Sequence, residues 1–161
     1  MNYREYNRNL AIEYAKKWAY SRNPIYYNFD NLGGDCTSFI SQCLYAGTNV
    51  MNYEKYGWYY INGYKKSPSW SGVEFLYKFL INNKGLGPYG KICDINEIEF
   101  GDVIQLSFDG VKFSHSLIVT RSVDKNNILI SSHTDDSYNR NLLTYNFKKI
   151  RFIKIEGARI K

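Results

Sequence analysis

The sequence predicts an α+β domain, and three observations carry that prediction. Apolar residues recur at helical spacing in the N-terminal half, and β-branched runs of strand length dominate the C-terminal half. Helices that come first, followed by strands joined by short turns, give segregated helices packed on an antiparallel sheet. The length of 161 residues suits one domain spanning 1–161. With 44% apolar and 22% charged residues, the composition is that of an ordinary globular chain. It excludes a disordered tail, a collagen-like chain and a coiled coil.

Each element has its own signal. Residues 7–22 place Leu10, Ala11, Tyr14, Ala15, Trp18 and Ala19 on one stripe, and Asn23-Pro24 is the expected stop. Residues 24–34 read as a loop. Residues 35–47 form a second helix, with Cys36, Phe39, Ile40, Cys43 and Leu44 on one face, Asp35 as N-cap and Gly47 as terminator. Residues 48–70 read as an irregular, aromatic-rich excursion. Ser71-Gly72-Val73-Glu74 has the pattern of a capping box, opening a third helix that buries Phe75, Leu76, Phe79 and Leu80 and ends near Asn83 to Gly85. Strands follow at 101–108, 112–120, 127–134 and 150–158. Asp109-Gly110 reads as a tight hairpin between the first two, and Asp124 to Asn127 joins the next two.

Charge and cysteine content narrow the function classes. The formal net charge is +6. Residues 1–22 carry +3 and residues 148–161 carry +5, so the excess is terminal. Such ends are either solvated faces or a surface for an anionic partner such as a cell-wall polymer. No zinc-finger spacing, RNA-recognition motif or recognition helix accompanies them, so nucleic acid is not the expected partner. No run approaches the ~18 apolar residues of a membrane span, and Met1 to Tyr6 lacks the apolar stretch of a signal peptide. Three Cys cannot complete a disulfide framework. Without a CxxC pair, neither a metal site nor a cofactor is expected.

Gly33-Gly34-Asp35-Cys36 is the strongest local signal. Glycines permit a sharp turn, and the cysteine then opens a helix. There the helix dipole and free N–H groups favour a thiolate, and the Cys36 N–H is available to an oxyanion. Asp35 opposes a thiolate unless the first-turn amides engage its carboxylate. Cys36 also lies on an apolar stripe, where a cysteine can be plain core; Cys43 and Cys93 are read that way. A thiol nucleophile needs a base and an orienting group. The only two histidines, His115 and His133, fall on neighbouring predicted strands. A two-residue loop at Lys125-Asn126 puts them on opposite faces. A three-residue loop at Asp124 to Asn126 pairs Val123 with Asn127 and Leu117 with His133, and the histidines then share a face, one diagonal step apart. Asp135 and Asp136 are alternative orienting groups.

The segments RNPIYYNFDNLGGDCTSFISQCLYAG (22–47), SWSGVEFLYKFL (69–80), GDVIQL (101–106), HSLIVT (115–120) and SSHTDDSYNRNL (131–142) together resemble the bacterial putative amidase domain family. That family is similar to the papain-like cysteine hydrolases, near the NlpC-type and CHAP cell-wall peptidases. The resemblance implies a papain-like core with the cysteine helix against an antiparallel sheet. It implies Cys36 as nucleophile, His115 as base and His133 as third polar residue, with Tyr26 or Tyr27 matching a tyrosine that assists the nucleophile. Its implied substrate is peptide, in particular the stem peptide of peptidoglycan, and its implied location is extracellular or the cell wall.

The expected chemistry is amide cleavage through a thioester. Trp58, within Trp58-Tyr59-Tyr60, and Trp70 either wall the cleft or form a packed aromatic layer. Two other functions fit the same residues: an inactive module that binds peptide or glycan, and a thioester acyltransferase. Sequence leaves the oligomeric state open.

Overall fold

The structure is a computed structural model that describes residues 1–161. It is α+β, with helices from the N-terminal half packed on an antiparallel sheet. Helix α1 (Arg8–Trp18) starts at Asn7, whose side chain accepts the Leu10 N–H. Its buried face is Ala11 and Ala15, small residues that let it lie close to its neighbour, while Leu10 is exposed. The helix stops at Trp18, short of Asn23-Pro24, and Ser21 N donates to the Trp18 carbonyl.

Helix α2 (Cys36–Thr48) is the centre of the fold, with 11 of its 13 residues buried. It runs through Gly47 to Asn49, which takes the left-handed C-cap at φ 52°. Gly47 is needed for space instead: a Cβ there would meet the Tyr6 ring at 2.5 Å. Strands β2 (Tyr60–Asn62) and β3 (Lys65–Lys66) make a small separate hairpin. Helix α3 (Pro68–Ser71) precedes α4 (Val73–Asn82). The expected capping box does not form, because Ser71 already belongs to α3 and Gly72 is the cap of α4. Glu74 turns to Arg151 instead, at 2.9 Å.

The sheet is built on a long C-terminal strand. Strands β1 (Asn2–Arg4), β4 (Gly87–Cys93), β5 (Val103–Ser107), β6 (His115–Ser122), β7 (Ile128–Ser132), β8 (Ser137–Asn141) and β9 (Lys149–Ile160) are all antiparallel to their neighbours. Strand β4 covers one edge of β9; β5 and then β1 share the other. Alternation gives the sheet two buried faces. Val103, Ile118, Ile153 and Ile155 pack on the helices, while Ile104, Leu106, Leu117, Val119, Ile128 and Ile130 form a second core under Ile98 and Leu142. The β5–β6 connection is a loop over 108–114 rather than a tight turn. Asp109 Oδ1 accepts the Val111 and Lys112 amides, both at 2.8 Å, and this widens the turn.

Candidate active site

The 24–34 loop, the N-terminus of α2, the start of β6 and the end of β7 meet at one end of the sheet. Gly33 and Gly34 sit at φ 88° and 95°, a region that L side chains avoid. The chain thereby folds back, and Gly34 N donates to the Phe29 carbonyl. Asp35 does not cap the helix, contrary to the sequence expectation. Its Oδ1 accepts the Phe29 N–H at 2.9 Å, and its Oδ2 faces His133. The first-turn amides of α2 are left without a side-chain cap, and they are the donors an oxyanion needs.

The Cys36 thiol is 3.7 Å from the Thr37 hydroxyl. Burial pushes the thiol up from its ordinary range, while the main chain of Ser116 and the Thr37 hydroxyl pull the other way. Ser116 directly follows His115, and its hydroxyl ties β6 to α2 through Thr37 Oγ1 at 2.9 Å. The base candidate therefore lies one residue from the main chain that faces the sulfur. His115 packs near Phe108 and Tyr145, with ring centroids 6.3 and 5.8 Å away. Burial pulls its pKa down to about 4; the Arg140 charge acts in the same direction and Asp135 opposes it. At neutral pH Cys36 is accordingly a thiol and His115 a neutral imidazole.

His133 is not where the sequence placed it. The β6–β7 loop behaves as a three-residue loop, since Val123 N donates to the Asn127 carbonyl and Ser122 pairs with Ile128. At Thr120 the register shifts: Arg121 pairs with Leu129, but Val119 pairs with Ile130 and Ile118 with Ser131. One bulged residue moves everything beyond it to the other face. Continued by that register, His133 lies opposite Ser116 rather than Leu117. It turns to the helix side, stacking on Phe39 at 3.9 Å between centroids. Its Nδ1 meets Asp35 Oδ2 at 2.6 Å and its Nε2 meets the Trp18 carbonyl at 2.7 Å. His115, at the start of β6, has Phe108 and Tyr145 as its ring neighbours instead. With both ring nitrogens engaged, His133 has none left for His115.

Residues 5–155 match the family described as putative amidase domain. The chain belongs to that family. A Bacillus subtilis (strain 168) protein, described as uncharacterized protein YhbB, is 34% identical over 137 residues. The alignment covers 83% of this chain and 43% of that relative, so the chain spans less than half of the relative's length. No solved structure matches the chain.

The remaining expected residues of this amidase-family domain divide. Trp58 and Trp70 are both 0% exposed, so they cannot touch a substrate; their rings meet at a 36° tilt with centroids 4.9 Å apart and form the packed aromatic layer. The reason is polar as well as apolar, since Ser41 on α2 accepts Trp58 Nε1–H at 3.0 Å and donates to the Trp70 carbonyl at 2.8 Å. Tyr26 stacks on Trp70 at 5.8 Å and burial pushes its phenol up to about 12, so it belongs to that layer. Tyr27 is partly exposed, and its N–H donates to the Tyr60 hydroxyl at 2.7 Å. Neither tyrosine makes a hydrogen bond to Cys36. Cys43 and Cys93 are buried, as read from the sequence.

Arg22, Gln105 and Thr134 were missed. Arg22 joins Asp30 and Asp136, each at 3.0 Å, and comes within 3.6 Å of Asp35. Gln105 supports Ser116 at 3.1 Å. Thr134 and Asp135 hold positive φ angles of 66° and 59° directly after His133. No cluster of three His, Cys, Asp or Glu side chains is placed to hold a metal ion.

Proposed function

We propose that the chain is a cysteine amidase that hydrolyses peptide amide bonds, with Cys36 as nucleophile and His115 as base. The observation that carries this reading is a thiol at an uncapped helix N-terminus, beside the strand start that bears a neutral histidine. The family's amidase designation supports the reaction class. His115 accepts the thiol proton as the sulfur attacks the amide carbonyl. The first-turn N–H groups of α2 stabilise the oxyanion. His115 then protonates the leaving amine, and a thioester remains. Water, deprotonated by His115, cleaves the thioester and restores the thiol. Asp135, the carboxylate that acts electrostatically on His115, is positioned to favour the transient imidazolium.

The proposed substrate class is the stem peptide of peptidoglycan, on the strength of the sequence likeness to NlpC-type and CHAP peptidases. Fully buried Trp58 and Trp70 provide no stacking surface for glycan, which favours hydrolysis over an inactive glycan-binding module. The test is incubation with purified wall and synthetic stem peptides, reading released amines. Turnover that vanishes in Cys36→Ala, with a thioester on Cys36 trapped by mass spectrometry, supports the reading. Turnover retained by Cys36→Ala overturns it.

A further inference from the structure

The protons around His133 can be counted. The Trp18 carbonyl is an acceptor only, so His133 Nε2, 2.7 Å from it, carries a hydrogen. The 2.6 Å approach of His133 Nδ1 to Asp35 Oδ2 requires another proton between those atoms. Whichever atom holds that proton, imidazole and carboxylate together have no net charge. Both side chains are 1% exposed, so water screens them little.

The next residue is Cys36. A free carboxylate there would oppose the thiolate and would also be drawn to the first-turn amides. We propose that His133 is a positioning residue for the nucleophile, acting through Asp35: it cancels the carboxylate's charge and holds it away from the oxyanion donors. The proposal rests on Cys36 being the nucleophile, and it gives His133 a role other than orienting His115.

Two further observations fit the same role. Phe39, one turn along α2 from Cys36, clamps the His133 ring by stacking. The turn that follows forces Thr134, a β-branched residue, to φ 66°, a strain that persists only where surroundings impose it. The other charged groups around the pair are Arg22 from the segment after α1, Asp30 from the 24–34 loop, and Asp135 and Asp136 from the β7–β8 turn. Arg22 stands 3.6 Å from Asp35 and divides its charge among Asp35, Asp30 and Asp136, so it offsets only part of the Asp35 charge. His115 makes no hydrogen bond to either member of the pair.

The test is site-resolved iodoacetamide labelling of the full chain between pH 5 and 10, read by mass spectrometry. His133→Gln is expected to move the Cys36 labelling midpoint up by about one pH unit, roughly a tenfold slower reaction at neutral pH. Asp35→Asn in the His133→Gln background is expected to return it to the wild-type midpoint. Asp35→Asn alone leaves it in place. The His133→Gln shift persists when His115 is also Gln. An unshifted midpoint in His133→Gln, or a shift that the double variant keeps, overturns the proposal. Cys43 serves as the folding control: faster Cys43 labelling in His133→Gln marks unfolding, and the same comparison is then made with His133→Asn. The nucleophile reading fails separately, if wild-type Cys36 labels no faster than Cys43 and Cys93 at every pH.

Discussion

At the scale of single residues, the site depends on where protons sit. His115 is held with a pKa of about 4 against an ordinary 6.5. The unfolded chain therefore binds the extra proton first as pH falls. Stability is unaffected by this group above pH ~6.5 and declines as pH drops toward 4, by up to ~3 kcal/mol. Urea titrations of wild type and His115→Asn at pH 7 and pH 4.5 are expected to show a smaller acid loss in the variant. If His115 is the base, the acid limb of kcat/KM falls near pH 4 rather than near 6.5; a limb that survives His115→Asn unchanged assigns the base elsewhere. The Gly33-Gly34-Asp35-Cys36 run and the two histidines were legible in the sequence because their local chemistry is distinctive. The partner of His133 was not. It depends on a bulge at Thr120, a residue with β-branched propensity and no local signal of irregularity. Thr120 Oγ1 is buried there without a hydrogen-bond partner.

At the scale of elements, legibility followed side-chain periodicity. Strands β5, β6, β7 and β9 contain Val, Ile and Leu runs, and each falls within the predicted segments or extends them slightly. Strands β1, β4 and β8 escaped, as did the short β2–β3 hairpin. Strand β4 contains two glycines and Pro88, and β8 reads Ser-Tyr-Asn-Arg-Asn. Both lie at sheet edges, where pairing on one side suffices and proline is tolerated. Helix α2 was readable as amphipathic, yet nearly its whole circumference is buried. Its polar Thr37, Ser41 and Gln42 look like a solvent face in sequence but satisfy partners inside. Leu44 is 0% exposed in the larger core, so Leu44→Ala is expected to cost ~3 kcal/mol in a urea titration. The β7–β8 turn predicts the opposite sign. Thr134→Gly removes a left-handed β-branched residue and is expected to raise Tm by ~2–4 °C, read by calorimetry.

At the scale of the whole molecule, the α+β plan followed from the order of the periodic segments, and the structure adds what ties its ends together. Much of the terminal positive charge is turned inward. Arg8 and Lys154 both pair with Asp102, at 2.8 and 3.3 Å, and with Glu99. Asp102 is 0% exposed and also accepts the Glu99 and Ile155 amides. Composition alone could not separate such internal ties from a docking face, because a net charge records no distances. Asp102→Ala strands two cations and two amides, and is expected to cost ~3 kcal/mol or more by urea titration; a cost under ~1 kcal/mol would show that the cluster is not a tie. Asn2 pairs with Ile160 and Arg4 with Ala158, so the first and last residues leave the sheet side by side and head in the same direction. A pull applied to both ends acts along the interstrand hydrogen bonds, perpendicular to the strands. It breaks them one after another instead of loading the ladder together. The domain is thus mechanically soft when stretched from its termini, peeling open from β1 and β9.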